Sequence, residues 1–350
     1  MTEDNKKLKK IVFDDTYYSR IIKKYGYNPV DFKKINFNLR NLDMKTLEDK
    51  FVCHHNGDIF VDRMKKRYKS IITTGFGLSG KPHLGSISEI LKIVALSKTG
   101  LKTQVVLGDL DSYNARNQEL ETVRKRVKQY KKFIKKLGYN RNGILRDQYS
   151  HTEVLHTAFI IAHYLKDEDF IEAEEDVAYI YKDEGIYSNF SFPMKLSLLL
   201  MIADFIHLGI VDGYTNIMVM LGIEEHKYVL LAKKVVERMG LKIEISAMYG
   251  KMIKGLNGYP KMCKSIKKSS INVSTRREDI LNLLRNNSDS LEKVDSNAVF
   301  QMMEQTSYYT SGQLKNIRSI CKNNDKEKWF KIIDEYAEML NKILIKWPKN

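Results

Sequence analysis

Cysteine is scarce in this chain, with 3 residues among 350, at positions 53, 263 and 321. Their wide separation fits neither a disulfide framework nor the paired spacing of a zinc finger. Few, unpaired cysteines are typical of a reducing compartment, so we expect a cytoplasmic protein. The run Cys53-His54-His55 resembles part of a metal cluster. Because no paired Cys or His ligands follow it at zinc spacing, we predict no metal site.

The sequence also lacks a long uninterrupted apolar run. Its most apolar stretch, residues 194–210, is broken by Lys195 and Asp204 and is short for a membrane span. Residues 1–5 are polar and no apolar segment follows them, so we expect no secretory signal. We therefore predict a soluble protein with no membrane partner.

Acidic residues are outnumbered, since 43 Asp and Glu face 59 Lys and Arg, for a net charge of +16. Such an excess attracts polyanions over long distances and favours a nucleic-acid partner. The alternative is a lysine-rich composition that reflects codon bias alone. A hydrophobic content of 43% over 350 residues supplies a real core. The length predicts two domains, or one large domain with an appendage.

The most informative stretch is residues 73–86, Thr-Thr-Gly-Phe-Gly-Leu-Ser-Gly-Lys-Pro-His-Leu-Gly-Ser. It follows a short apolar segment, 68–72, and precedes apolar residues at helical spacing in 87–96, which predicts strand, glycine-rich turn and helix start. Such a turn presents backbone N–H groups and the positive end of a helix dipole to a phosphate. A packing turn with a structural His83 is an equally weighted alternative, because the spacing matches no standard nucleotide loop.

Two further segments have the same strand-to-helix character. A predicted strand at 103–110 has acidic and small residues at its end, beginning with Asp109. Another predicted strand, at 216–221, is followed by Gly222 and Glu224. In parallel α/β sheets, ligands bind beyond the carboxyl ends of the strands, so these residues are candidates for one site. Helix-start roles for the acidic residues are the alternative.

Helices are predicted around these strands. Residues 119–137 form a strongly basic helix with an apolar stripe, and 194–208 form a helix that is apolar on nearly all sides and therefore buried. Asp204 lies within that buried helix and needs a partner, which is either a protein donor or a ligand. Residues 251–272 are rich in glycine and lysine; they form either a mobile loop that closes over a polyphosphate or a solvated basic loop.

Two widely separated segments resemble one family. Residues 82–86, Pro-His-Leu-Gly-Ser, resemble the HIGH motif of class I aminoacyl-tRNA synthetases, and 261–265, Lys-Met-Cys-Lys-Ser, resemble their KMSKS loop. Gly75-Phe76, Asp109-Leu110 and the segment from Gly222 to Glu224 are similar to the tyrosyl and tryptophanyl branch. The resemblance covers residues 70–275 and implies an α/β fold with a Rossmann-like parallel sheet of the HIGH type, a helical insertion and a helical C-terminal domain.

The resemblance also implies a division of the chain. The segments are a basic helical N-terminal extension at 1–66, a catalytic domain at 67–260 with a helical insertion at about 150–190, the KMSKS-like loop at 261–274, and a helical domain at 275–350 that meets the anticodon side of tRNA.

The implied activity is activation of an aromatic amino acid by ATP with Mg²⁺, tyrosine slightly ahead of tryptophan, followed by transfer to tRNA in a homodimeric enzyme. Catalytic roles fall on His83, Lys261 and Lys264. The ATP-binding positions are Gly75, Gly77, Gly85, Ser86, Gly222, Glu224 and Ser265. The amino-acid-binding positions are Thr73, Asp109, Ser197, Met201, Asp204 and Glu225.

Several positions depart from the family pattern. Ser86 replaces the second histidine of the HIGH motif, and Cys263 replaces the first serine of the KMSKS loop. Thr73 stands where tyrosyl enzymes carry a substrate-binding tyrosine, and Met201-x-x-Asp204 is similar to the bacterial tryptophanyl pocket. The alternatives are a divergent paralogue that activates another amino acid or uses a non-tRNA acceptor, a non-catalytic tRNA-binding paralogue, and a nucleotidyltransferase of the same fold.

Overall fold

A computed structural model of the protein describes residues 12–33, 35, 44–174, 178, 191–264, 266–288, 291 and 294–348. A sheet of 7 strands in the order β1-β2-β7-β6-β3-β4-β5 lies at its centre. The strands are β1 (Asn28–Pro29), β2 (Phe51–His55), β3 (Ser70–Gly77), β4 (Thr103–Gly108), β5 (Ile144–Asp147), β6 (Asn216–Gly222) and β7 (Glu244–Gly250). Strands β3 to β7 pair in parallel, while β2 pairs antiparallel with β7 and β1 antiparallel with β2.

Helices cover both faces of this sheet. Those before β6 are α1 (Asp15–Tyr25), α2 (Met44–Glu48), α3 (Gly57–Lys65), α4 (Leu84–Ser97), α5 (Asp109–Ala115), α6 (Leu120–Lys136), α7 (Glu153–Ala162), α8 (Asp167–Glu172) and α9 (Phe192–Ile210). Those after β6 are α10 (His226–Arg238), α11 (Arg277–Asn286), α12 (Ala298–Thr306), α13 (Ser311–Lys322) and α14 (Lys326–Leu344). The predicted fold class, a parallel Rossmann-like sheet with helical additions, is confirmed.

Strand β6 shows how the sequence sets the two faces of the sheet. Its side chains alternate, so Ile217 and Val219 join a core formed with α1, α7, α9 and α10. Met218 and Met220 join a core formed with α4, α6 and the C-terminal helices. Because both faces are covered, all seven residues of this strand are buried and its sequence is apolar without polar alternation.

The position of β3 in the sheet determines where a ligand can bind. The chain proceeds from β3 outward to β4 and β5, then returns to the other side of β3 with β6 and β7. The order therefore reverses between β3 and β6, whose residues Thr73 and Val219 are paired. In open α/β sheets, the crevice beyond the carboxyl ends of the strands at such a reversal is the usual ligand site.

The C-terminal helices dock against the basic helix α6. Trp347 packs edge-on against Tyr130 and Phe133 of α6, with ring centroids 5.2 and 5.4 Å apart. Trp329 and Tyr336 of α14 are buried in the same core. These aromatic contacts hold the last helices on the face of the sheet that carries α4.

Two predictions about the strands are corrected. Strand β3 continues through Gly75 to Gly77, which were predicted to lie in a turn, because it keeps its parallel pairing with β4 as far as Gly77 and Gly108. Residues 51–55 form β2 within a region predicted as short helices, since they pair with the edge strand β7. Residues 1–11, and 175–177 and 179–190 of the predicted insertion, lie outside the described residues.

Helix α9 also differs from a prediction. From the sequence, its apolar run, residues 194–210, was expected to be too short for a membrane span. It has 19 residues and, by length and composition alone, is apolar enough to cross a membrane. In the fold, 56% of its most apolar window is buried. Ile202, Phe205 and Ile206 pack into the core beside α7 and α10. Its apolar character is accounted for by that packing.

Candidate active site

A cavity of about 250 Å³ lies at the carboxyl ends of β3 and β6. Twelve of the predicted site residues line it: Gly75, Gly77, His83, Gly85, Ser86, Ser197, Met201, Gly222, Glu224, Glu225, Lys261 and Lys264. They come from β3, the start of α4, the middle of α9, the end of β6 and the loop after β7. The sheet order therefore brings together residues that are far apart in the sequence.

The start of α4 forms one wall of the cavity. His83 is the N-cap of this helix, and its Nδ1 accepts a hydrogen bond of 3.3 Å from the backbone N–H of Ser86. Burial, and then the positive charges of Lys264 and Lys261, hold the pKa of His83 well below its usual range. The ring is therefore neutral, and because Nδ1 accepts, its proton lies on Nε2. That N–H is available as a donor to an anion.

Gly85 is required by the position of His83. A Cβ at Gly85 would lie 2.8 Å from Cε1 and 3.0 Å from Nδ1 of the imidazole. Real side chains do not approach that closely, so any larger residue would displace the ring. The glycine of the Pro-His-Leu-Gly-Ser segment therefore leaves the space that the histidine ring occupies.

The lysine-containing loop lines the cavity beside the start of α4. Lys264 Nζ donates to the carbonyl of Gly77, a residue 187 positions earlier, and lies 5.7 Å from the ring centroid of Tyr130. Burial lowers the pKa of Lys264 to about 8, although Glu225 opposes that shift. Backbone bonds hold the loop to the start of α4, since Leu84 N–H donates to Ile271 at 3.0 Å.

Lys261 and Glu224 form an ion pair at the end of β6. Their Nζ and Oε1 atoms are 3.2 Å apart, and both side chains are largely buried. A Cβ at Gly222 would lie 2.2 Å from Oε2 of Glu224. Gly222 therefore lets the carboxylate fold back over the strand end, where it meets the lysine.

A smaller cavity of about 50 Å³ adjoins the first and is lined by Thr74, Gly75, Phe76, Met201, Phe205 and the buried Asp204, among others. Asp204 Oδ2 accepts a hydrogen bond of 2.8 Å from Nε2 of Gln148. Burial raises the pKa of Asp204 to about 7, which Asp111 and Asp109 reinforce and the bond from Gln148 opposes. At neutral pH the Asp204 carboxyl group is therefore near its pKa, and it lies beside the Gln148 amide in a mainly apolar cavity.

Three predicted residues are not among those that line these two cavities in the described part of the chain. Thr73 is fully buried in β3, where its hydroxyl accepts a bond of 3.2 Å from Gln104. Asp109 is fully buried and paired with Arg124 at 2.6 Å. Ser265 lies outside the described residues.

Sequence reasoning missed several polar residues of the site. Arg116 lines the larger cavity and adds positive charge to it, as does Lys251 from the lysine-rich segment 251–272. Gln148 lines the smaller cavity and binds Asp204. Gln148 directly follows β5, and residues beyond the carboxyl end of a parallel strand are ligand-site candidates. The four residues at 144–147 have too weak a pattern to be predicted as a strand.

Comparison with known proteins gives one family. The family model of class I tRNA synthetases (W and Y) matches residues 65–340. A tryptophan–tRNA ligase of Archaeoglobus fulgidus is 22% identical over 226 residues, which cover 64% of this chain and 51% of the relative. A tyrosine–tRNA ligase of Methanococcus maripaludis is 24% identical over 243 residues, which cover 68% and 70%. The chain thus spans about half the length of the first relative and about two thirds of the second.

A solved structure gives the same fold. The tryptophanyl-tRNA synthetase of the archaeon Aeropyrum pernix superposes with a TM-score of 0.72 at 20% identity, covering 96% of this chain and 98% of that one. The sheet and the C-terminal helices described above are therefore an arrangement also found in a solved structure.

Proposed function

Because the chain belongs to the class I tRNA synthetases of the tryptophan and tyrosine branch, we propose that it activates an aromatic amino acid with ATP and transfers it to tRNA. One observation carries the proposal. His83, Lys261 and Lys264, which come from two distant segments, line a single cavity at the reversal point of the sheet. Phosphate chemistry needs this combination of positioned cations and neutral donors.

The proposed reaction starts with the amino-acid carboxylate. One of its oxygens attacks the α-phosphorus of ATP, the bond from that phosphorus to the bridging oxygen breaks, and pyrophosphate leaves with the electron pair. Lys261 and Lys264 stabilise the charge on the phosphates, and His83 donates from Nε2. No covalent bond to the protein is needed, so the chain contributes alignment and electrostatics.

The lining of the larger cavity supports ATP with Mg²⁺ as the substrate complex. Its lysines face anionic oxygens, and the glycines at 75, 77 and 85 allow a close approach to the backbone. Glu224 and Glu225 also line this cavity, and we propose that Glu224 binds the ribose of ATP while Glu225 faces the amino acid. Bound Mg²⁺ would neutralise part of the phosphate charge.

The smaller cavity supports tyrosine ahead of tryptophan. Asp204 offers an acceptor and Gln148 offers an amide donor at the same point. A phenol hydroxyl both donates and accepts, whereas an indole N–H only donates, so tyrosine would satisfy both protein groups. Met201 lines this cavity from α9, and Ser197, on the same helix, lines the adjoining larger cavity.

Helix α6 supports tRNA as the acceptor. Its inner cations serve the fold, since Arg124 pairs with Asp109 and Asp147, and Arg126 donates to the carbonyl of Leu78 at 2.8 Å. Its exposed cations are Lys125, Lys128, Lys132, Lys135 and Lys136. We propose that these exposed lysines contact the phosphate backbone, and that residues 275–350 meet the anticodon side. Binding should then weaken steeply with salt.

Exposed apolar side chains on α7, α8 and α9 support a homodimer. Phe159, Ile171 and Phe192 are 82%, 70% and 71% exposed. Large apolar side chains at such exposure favour a protein interface. A Phe159→Asp variant should then run as a monomer in light scattering. We also propose a cytoplasmic location, where ATP and tRNA are present.

The decisive experiment is ATP–pyrophosphate exchange with each standard amino acid in turn. We expect exchange with tyrosine, and a weaker or absent signal with tryptophan. Exchange with tryptophan alone would reverse the specificity and leave the chemistry intact. Exchange with a non-aromatic amino acid would establish a divergent paralogue. No exchange with any amino acid, in a protein that still binds tRNA, would overturn the proposal in favour of a non-catalytic tRNA-binding role.

A further inference from the structure

Three metal-ligating side chains meet outside the two cavities, one helical turn along α9 from Asp204. They are His151, which follows β5, Glu153 at the start of α7, and His207 on α9. One donor atom of each lies within 4.8 Å of the others, and Nε2 of His151 is 3.9 Å from Oε2 of Glu153. The proposed reaction uses none of the three, and the sequence predicted no metal site.

We propose that His151, Glu153 and His207 bind one divalent transition-metal ion, with Zn²⁺ the best match. Two imidazoles and one carboxylate are a donor set that zinc accepts, with a water molecule in the fourth position. A tetrahedral ion at about 2.0–2.1 Å from each ligand would bring the donor atoms to about 3.3 Å from one another. Glu153 and His151 can move inward, since their side chains are 66% and 19% exposed.

His207 is already oriented as a ligand. The Thr157 hydroxyl donates to the Glu153 carbonyl at 3.4 Å, so its oxygen accepts from Nδ1–H of His207 at 2.8 Å. Nε2 therefore carries a lone pair, and it is buried without a hydrogen-bond partner among the described residues. Histidines that bind metals are usually fixed in this way by a hydrogen bond to the other ring nitrogen.

The charges around the cluster are compatible with a cation. Arg146 is the neighbouring positive charge, and Asp212 neutralises it through two bonds of 2.6 and 3.0 Å. Asp212 therefore offsets the repulsion that Arg146 would exert on a bound cation.

The position of the cluster indicates what the ion would do. Gln148 and His151 lie three residues apart on the segment after β5, and their partners Asp204 and His207 lie three residues apart on α9. The metal would thus add a second link between the same two segments, one helical turn beyond the Gln148–Asp204 hydrogen bond. It would fix the start of α7 to the helix that lines the smaller cavity.

Metal binding by the full-length protein tests this proposal without any activity assay. After dialysis against EDTA, the protein should bind one equivalent of Zn²⁺ and develop the visible absorption of tetrahedral cobalt on addition of Co²⁺. His151→Gln and Glu153→Gln alter exposed or half-exposed ligands and should leave the fold intact. Each should weaken binding by at least about 10–100-fold, the loss seen when even an outer partner of a ligand is removed.

The matched control is His156→Gln, an exposed histidine on the same helix. It should retain wild-type stoichiometry and affinity. If His151→Gln and Glu153→Gln bind Zn²⁺ as tightly as the wild type, or if the wild type binds less than one equivalent, the site does not exist. Because the readout is binding, failure here would leave the proposed aminoacylation untouched, and failure of the exchange assay would leave the metal site untouched.

Discussion

Gly85 and His83 are in such close contact that the glycine has room for no side chain, because a Cβ would lie 2.8 Å from the imidazole. The same imidazole caps α4 through Nδ1 and lines the larger cavity. One backbone position therefore controls a helix end and a proposed phosphate donor together. This coupling explains why a glycine follows the histidine at that spacing.

Gly85→Ala should displace His83 and remove both of its roles. Loss of the cap should cost about 0.5–2 kcal/mol of stability. Loss of one positioned donor should lower kcat for pyrophosphate exchange by about 10²–10³. Thermal unfolding and exchange kinetics measure the two effects on the same preparation.

Gly312→Ala is the matched control, since Gly312 is also the second residue of a helix, and a Cβ there would meet nothing closer than 3.8 Å. It should leave exchange unchanged and should stabilise the protein slightly, because alanine has the higher helix propensity. Equal kinetics for Gly85→Ala and Gly312→Ala would show that the contact with His83 has no part in the reaction.

Lys264→Ala should slow amino-acid-dependent exchange by about 10²–10³, the usual cost of removing one group that stabilises transition-state charge. Binding of tRNA should stay nearly unchanged, because this lysine faces the cavity and bonds to Gly77. Lys268→Ala is the control, since Lys268 is an exposed lysine of the same loop region. A loss of equal size in both variants would indicate a general charge effect of the loop.

The pKa of Lys264 also predicts a pH limit. Burial lowers it to about 8, so the ammonium loses its proton above that pH, and kcat/KM for ATP should fall there. The quotient kcat/KM reports the free enzyme, which is the state to which this pKa applies. Lys264→Arg keeps its charge at any accessible pH and should move the fall to a higher pH. An unchanged alkaline limb would assign it to another group.

Apolar runs and helical periodicity in the sequence predicted the strands and helices that form from contiguous residues. Strands β4 and β6 are continuous apolar runs, and α6 and α9 have clear helical patterns, so these elements were predicted close to their observed bounds. The prediction that the two motif segments share a site is supported by the cavity that both line.

Features that depend on long-range pairing could not be read in the same way. Strand β2 forms because β7 offers it an edge, and β5 has only four residues beside β4. Gln148 and His151 follow β5, so neither could be predicted as a strand-end residue without knowing where that strand lies. The partner of Asp204 and the metal-ligand cluster therefore emerged only from the assembled sheet.

Asp204→Asn should separate the two roles of this carboxyl group. Burial raises its pKa from 3.8 to about 7, so the folded protein binds this proton more tightly than the unfolded chain. The stabilisation is complete below pH 3.8 and is lost as the pH rises through about 7. Asparagine does not titrate, so the melting temperature of the variant relative to wild type should rise between about pH 4 and about pH 7 and then level off.

The same Asp204→Asn variant should gain relative stability but bind tyrosine more weakly. Removing the carboxylate acceptor should raise KM for tyrosine about 10–100-fold, which corresponds to about 1.5–3 kcal/mol for a hydrogen bond to a charged group. Asp169→Asn provides the contrast, because ion pairs with Arg238 and Lys234 hold the pKa of Asp169 below its usual range. That variant should lose stability at neutral pH and keep its KM. If Asp204→Asn gave the same pattern as Asp169→Asn, Asp204 would be a structural carboxylate with no part in recognising the substrate.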